Sequence, residues 1–200
     1  MTTFAELVAS TLEVTKRPAL VALTNQAVRL AVMRAQHTDF FPRDSAIGSL
    51  PYQVSQYVMF YDFPNMNTQL PRLRQIQTIY GKTQEGLYVE QLEYRKISNL
   101  YDNDGEPLRY VYTLIGETLR CWFDMPTGMI DVAYFRNPNT SELQFSSWIA
   151  DEYKEEIAHW AAAIVFARSG FQDMAAELQQ THIAPFKQEL IANYLNGDVN

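Results

Sequence analysis

With one cysteine in 200 residues, Cys121, the chain has no partner for an intrachain disulfide, so its core must hold the fold. A chain of this length buries about 70% of the surface it would expose unfolded, which makes such staples unnecessary. The neighbours Leu119 and Phe123 alternate with Cys121 and point to an inward position on a strand in a reducing compartment. Long apolar runs are missing too. The longest, residues 160–167, falls far short of the roughly 20 residues that a membrane-spanning helix needs. The N-terminal residues lack the basic-then-apolar order of a secretory signal. Nor is there a basic stripe. The net charge is −7, with +1 over residues 1–47, −3 over 48–146 and −5 over 147–200. A protein that grips nucleic acid concentrates Lys and Arg on one face, so tight DNA binding is not expected.

Catalytic signatures are equally scarce. Gly-x-Ser-x-Gly, Gly-x-Gly-x-x-Gly and Walker patterns do not occur. Of the three histidines, only His159 has carboxylates at helical reach: Glu156, with Glu152 and Glu155 on nearby turns. Glu156 and His159 form half of a Glu-x-x-His di-iron pattern. The second half is absent, so a solvated helix face is expected and no metal or cofactor. Asp102-Asn-Asp-Gly105 begins like a calcium loop, but the glycine comes two residues early and Val111 stands where the glutamate should be. A hairpin turn is the simpler reading. Cys121 lacks a basic neighbour on its own strand face, because Arg120 points to the other side. Carboxylates far apart in sequence leave a small hydrolase or carbohydrate-active protein open as an alternative.

What is abundant is aromatic surface and clear periodicity. Phe4, Leu7, Val8 and Leu12 predict a helix over residues 3–16. Pro18 suits the first turn of a second helix, which Leu20, Leu23, Ala27, Leu30 and Arg34 continue to about Gln36. The loop through Pro51 then gives way to β-branched and aromatic segments near 52–60, 75–80, 87–95, 108–115, 118–123 and 129–135. Turns at Gly81-Lys82, 102–105, Gly116-Glu117 and 126–128 separate them. Short strands joined by short turns imply antiparallel pairing. Helical period returns with Ile149, Tyr153, Ile157, Trp160 and Ile164 behind Ser147 as N-cap, and Gly170 closes that helix. A last helix near Asp173 meets Pro185, where a hinge is expected. The expected fold is α+β, a helical bundle from both chain ends (1–47 and 147–200) with an inserted antiparallel β module (48–146).

Three groups of residues stand out as interaction candidates. Phe40, Phe41, Tyr57 and Tyr61 belong to an aromatic cluster of the kind enriched at subunit interfaces. Phe186, Leu190, Ile191, Tyr194 and Leu195 follow the expected hinge with helical spacing and suit a partner's groove. Glu152, Glu155 and Glu156 carry the acidity of the C-terminal part.

Several of these segments resemble the head-to-tail adaptor (connector) proteins of tailed bacteriophages. Leu23-Thr-Asn-Gln-Ala-Val-Arg29 running into Asp39-Phe-Phe-Pro42 is similar to that family's buried helix and aromatic loop. Tyr61-Asp-Phe-Pro64 with Leu70-Pro-Arg-Leu-Arg-Gln-Ile76 resembles its strand and Pro-led step, and Ser147-Trp-Ile-Ala-Asp-Glu-Tyr153 through Ala161-Ala-Ala163 its alanine-rich helix. The resemblance implies a structural, non-enzymatic protein of the virion, made in the host cytoplasm. It would form a homo-oligomeric ring, usually a dodecamer, docked on the portal protein and leading to a tail or nozzle protein. DNA would pass without specific binding. The residues after Pro185 would then dock on the portal, the acidic residues would face the channel, and the aromatics would join subunits. Another tail or baseplate component is the remaining alternative.

Overall fold

A computed structural model describes residues 1–54, 60–83, 85–100, 108–123 and 127–195. It divides into a helical unit, residues 1–43 with 137–200, and a β unit, residues 44–136.

The helical unit begins with α1 (Phe4–Thr15), started by a reciprocal cap: the Glu6 amide donates to Thr3 Oγ1 at 3.2 Å, and the Thr3 amide to Glu6 Oε2 at 2.8 Å. Lys16, in left-handed conformation, ends it. Pro18 opens a short 3₁₀ turn into α2 (Val21–Gln36). After the β unit, Ser147 caps α4 (Trp148–Glu152), its Oγ accepting from the Ala150 amide at 3.3 Å, and α5 (Lys154–Arg168) follows at once. From Ile157 to Phe166 every side chain of α5 except His159 is buried, so α5 is the axis of this unit. Ala27, Ala31 and Ala35 on α2 and Ala161 and Ala163 on α5 lie in one core, and their small side chains permit close helix approach. Gly170, with φ of 87°, ends α5 as its sequence suggests.

The chain closes with α6 (Gln172–Leu178), a π-turn at Gln179–Ile183 and α7 (Ala184–Leu195). The Ala184 amide reaches back five residues to the Gln179 carbonyl. This wider turn stands immediately before Pro185, so the helix absorbs the missing donor without breaking. Ile183 at the end of this turn, and Phe186 and Leu190 beyond it, enter the core formed by α1, α2 and α5. The expected hinge is therefore corrected to a continuous, packed helical segment.

In the β unit, β1 (Ser45–Gln53), β2 (Phe60–Phe63), β3 (Leu73–Lys82), β4 (Tyr88–Tyr94), β5 (Val111–Ile115), β6 (Thr118–Trp122) and β7 (Thr127–Arg136) form one sheet in the order β1-β7-β3-β4-β5-β6-β2. Strands β4 and β5 run parallel, Glu93 opposite Val111 and Tyr94 opposite Tyr112. The expected architecture, a helical bundle carrying a wholly antiparallel insert, is thus overturned by a seven-stranded curled mixed sheet. The physical reason lies in the connection after β4, which runs from residue 95 to 110 and is long enough to return the chain in the same direction. Two turn expectations shift as well. Gly81-Lys82 lies inside β3 at a register shift, and β1 runs through Pro51, which an edge strand tolerates. The segments 102–105 and 124–126 lie outside the described residues.

With this strand order, the short connection between β1 and β2 forces the curl. A flat sheet would put β1 and β2 about 29 Å apart, six strand spacings, yet the stretch from Gln53 to Phe60 reaches at most about 25 Å. The two edges accordingly approach: Tyr52 of β1 stacks on Phe123 at 3.7 Å and lies 6.5 Å from Tyr61 of β2. Inside the curl pack Leu50, Ile79, Leu92, Leu119, Cys121, Ile130 and Val132. The short helix α3 (Met66–Gln69) fills the opening with Met66 and, just beyond it, Leu70.

Candidate interaction surface

The β3–β4 hairpin turns tightly because Gly86 takes a φ of 86° and Thr83 closes the loop from both sides. The Thr83 amide donates to the Leu87 carbonyl at 2.8 Å, and Thr83 Oγ1 accepts from the Leu87 amide at 3.2 Å. Beyond the turn the apolar run Leu87-Tyr88-Val89 stays exposed. Leu87 is 68% exposed, Tyr88 65% and Val89 39%, and across the hairpin Tyr80 is 38% exposed. Ile47, on the same outer face of the sheet, is 71% exposed.

This surface is held by a buried carboxylate. Asp131 on β7 is only 5% exposed although it lies on the outer face, because Lys82, Ser49 and Tyr88 close over it. Ser49 Oγ donates to its Oδ1 at 2.6 Å, the Tyr88 hydroxyl donates to Oδ2 at 3.3 Å, and the Lys82 ammonium pairs with the same oxygen. Burial pushes the Asp131 carboxyl up, but the hydrogen bonds from Lys82 and Ser49 and the Lys82 charge outweigh it and hold the group below its ordinary value. The hydrogen bond to Asp131 in turn raises Lys82. The Lys82 ammonium also stands 4.5 Å from the Tyr88 ring, and Tyr80 meets that ring edge-on at 5.7 Å. An aromatic patch on a fixed scaffold can dock a partner with little ordering cost.

The sequence candidates are scattered. Phe40 is partly exposed, but Phe41 is fully buried and packs edge-on against Trp148 at 5.5 Å, so its interface role is corrected to a core role in the helical unit. Tyr61 is half-buried, 4.8 Å from Phe63, and Tyr57 lies outside the described residues. Glu152 is exposed and paired with Arg43, Glu155 is exposed and Glu156 half-buried. Phe186 contacts Tyr153 at 5.2 Å and Trp160 at 6.3 Å, and Leu190 is fully buried. Neither side chain is free to enter a partner's groove, because the helix that carries them completes its own core. Ile191 is half-buried, and the side chains of Tyr194 and Leu195 lie outside the described ones.

His159 stacks on His182 with ring centroids 4.0 Å apart and planes 6° apart. Burial lowers the His159 pKa, and the neighbouring His182 lowers it further, against the pull of Glu155 and Glu156. Among the described residues no three His, Cys, Asp or Glu side chains gather as a metal site would require. Burial raises the Cys121 thiol well above its ordinary value, which suits a core residue. Sequence reasoning passed over the hairpin tip by reading residues 87–95 only as one of the β-branched and aromatic strand segments. The available signal was the unbroken Leu87-Tyr88-Val89 triplet after Gly86, which breaks the alternation such a strand should show.

Compared with known proteins, the chain matches no family model and no curated protein.

Proposed function

We propose that this protein is a structural adaptor subunit of a phage head-to-tail connector ring, docked on the portal and continuing the DNA channel toward the tail. The observation that carries the assembly part of this reading is the exposed pair Tyr80 and Tyr88, held against each other and over Asp131, with Leu87 and Val89 exposed beside them in the hairpin and Ile47 exposed on β1. Exposed patches of this kind mark interaction sites, and a ring subunit needs two different ones because its contacts are heterologous. The assignment to the connector is supported by the sequence resemblance in residues 23–42, 61–76 and 147–163.

The test is particle imaging of the full chain, alone and with a candidate portal. Closed rings with an axial hole that seat on portals are the expected result, and replacing Leu87 and Tyr88 with aspartate and serine should leave folded monomers. A wild-type chain that stays monomeric with and without portals would overturn the reading.

A further inference from the structure

Where the end of α2 meets α5 and the α6–α7 segment, the helical unit contains a cleft of about 450 Å³, lined by Arg34, His37, Thr38, Trp160, Gln179 and Lys187. Its ionisable lining is cationic or imidazole, in a chain whose net charge is −7. Arg34 and Lys187 reach it from helices more than 150 positions apart in sequence. Among the described residues neither belongs to an ion pair, so both charges remain available to a ligand. The Lys187 ammonium instead stands 4.7 Å from the Trp160 ring centroid, poised by a cation–π contact. His37 is fixed by the 2.8 Å contact between its Nε2 and Asn137 Oδ1. Thr38 Oγ1 donates to the Arg34 carbonyl at 3.2 Å, tying the loop after α2 to its last turn.

A simpler account is that Arg34 and His37 offset the negative end of α2. That covers the last turn of α2, but it gives no reason for Lys187 and Gln179 to complete a concave lining from another helix. We propose that this cleft binds a phosphate group. A carboxylate offers two oxygens in one plane. A tetrahedral phosphate presents oxygens in several directions and can take the Arg34 fork, the Lys187 ammonium and the Gln179 amide together, each as a charge-assisted bond. The group can be carried by a free anion such as a nucleotide, or by a nucleic-acid backbone.

The experiment titrates the full-length protein with inorganic phosphate, then AMP, then a short DNA duplex, read by ¹⁵N NMR and calorimetry. Arg34→Gln, Lys187→Gln and the double variant are titrated alongside. Saturable shifts at Thr38, His37 and the Gln179 side-chain amide are expected, and each single variant should weaken phosphate about tenfold, the worth of one charge-assisted hydrogen bond. Both variants replace side chains that reach solvent, so unchanged circular dichroism is expected with them. Phosphate and AMP binding with the duplex excluded identifies a free anion as the source, while duplex binding that phosphate displaces identifies a backbone. No saturation with phosphate or AMP through the millimolar range, or equal affinity in the double variant, overturns the proposal. Ring formation plays no part in these readouts, so they stand or fall apart from the connector reading.

Discussion

At the scale of single residues, two ionisable groups should contribute to how stability responds to acid. Asp131 is held below its ordinary pKa in the folded protein, so its stabilisation is fully present above about pH 4 and is lost as the pH falls through its folded value. Lys82→Met removes the charged partner and leaves the carboxylate under cover with only Ser49 and Tyr88. The expected result is lower stability at neutral pH together with an acid-unfolding midpoint shifted upward, measured by urea melts across pH. An unchanged midpoint would show that the pair is a surface contact without consequence. His159 acts in the opposite direction. Its pKa is lowered on folding, so below about pH 6.5 the unfolded chain takes up the proton first and stability falls until the folded ring charges as well. Replacing His182 with glutamine removes the stacked neighbour while keeping a polar side chain. Thermal melts at pH 7.5 and pH 5 should then show a smaller loss than in the wild type.

At the scale of elements, the long helices were readable because each carries its own period and punctuation: Thr3 and Glu6 for α1, Pro18 before α2, Ser147 before α4 and Gly170 after α5, whereas the one-turn α3 and the break at Tyr153 that divides α4 from α5 carry no such mark. The strands were readable as segments, but their partners were not. Pairing depends on where the chain returns, and nothing local in Tyr88–Tyr94 announces a parallel neighbour after a long connection. The curl was latent in the short distance between β1 and β2, yet it can be deduced only once the strand order is known. The interaction surface was hidden for a related reason, since burial of a Tyr or Val on a strand depends on what lies across it. Pro185 misled in the other direction. A proline in a helical pattern signals a break, and the π-turn at Gln179–Ile183 removes the need for one. The packed state of α7 makes a definite prediction: Leu190→Ala should cost about 2 to 5 kcal/mol, the range for emptying a fully buried leucine site. Chemical denaturation of the isolated chain measures this, and a cost below about 1 kcal/mol, the level of a surface substitution, would mean that the segment is not part of the core.

At the scale of the whole molecule, two large apolar cores coexist among the described residues, one built only from residues 4–41 and 149–190, the other only from residues 50–134, with a smaller cluster of Leu100, Val111 and Trp122 also inside the β unit. The chain leaves the first unit at Arg43 and re-enters it at Asn137, and next to these points Ser45 and Phe135 are paired partners on β1 and β7. Paired Cα atoms in antiparallel strands are about 5 Å apart, so the chain enters and leaves the β unit through neighbouring positions. A linker of a few Gly and Ser residues therefore has enough reach to join residue 43 to residue 137. Since no side chain of the second core belongs to the first, the chain with residues 44–136 replaced by such a linker should keep the helical spectrum of its share of the molecule and unfold cooperatively. Residues 44–136 alone should likewise give a β spectrum and a cooperative transition, since both partners of every sheet pairing lie within them. Circular dichroism melts of the two fragments decide the matter. If both fragments melt cooperatively, each core is self-sufficient. If either shows no transition, its core depends on the other unit, and the two cannot be treated as independent folding units.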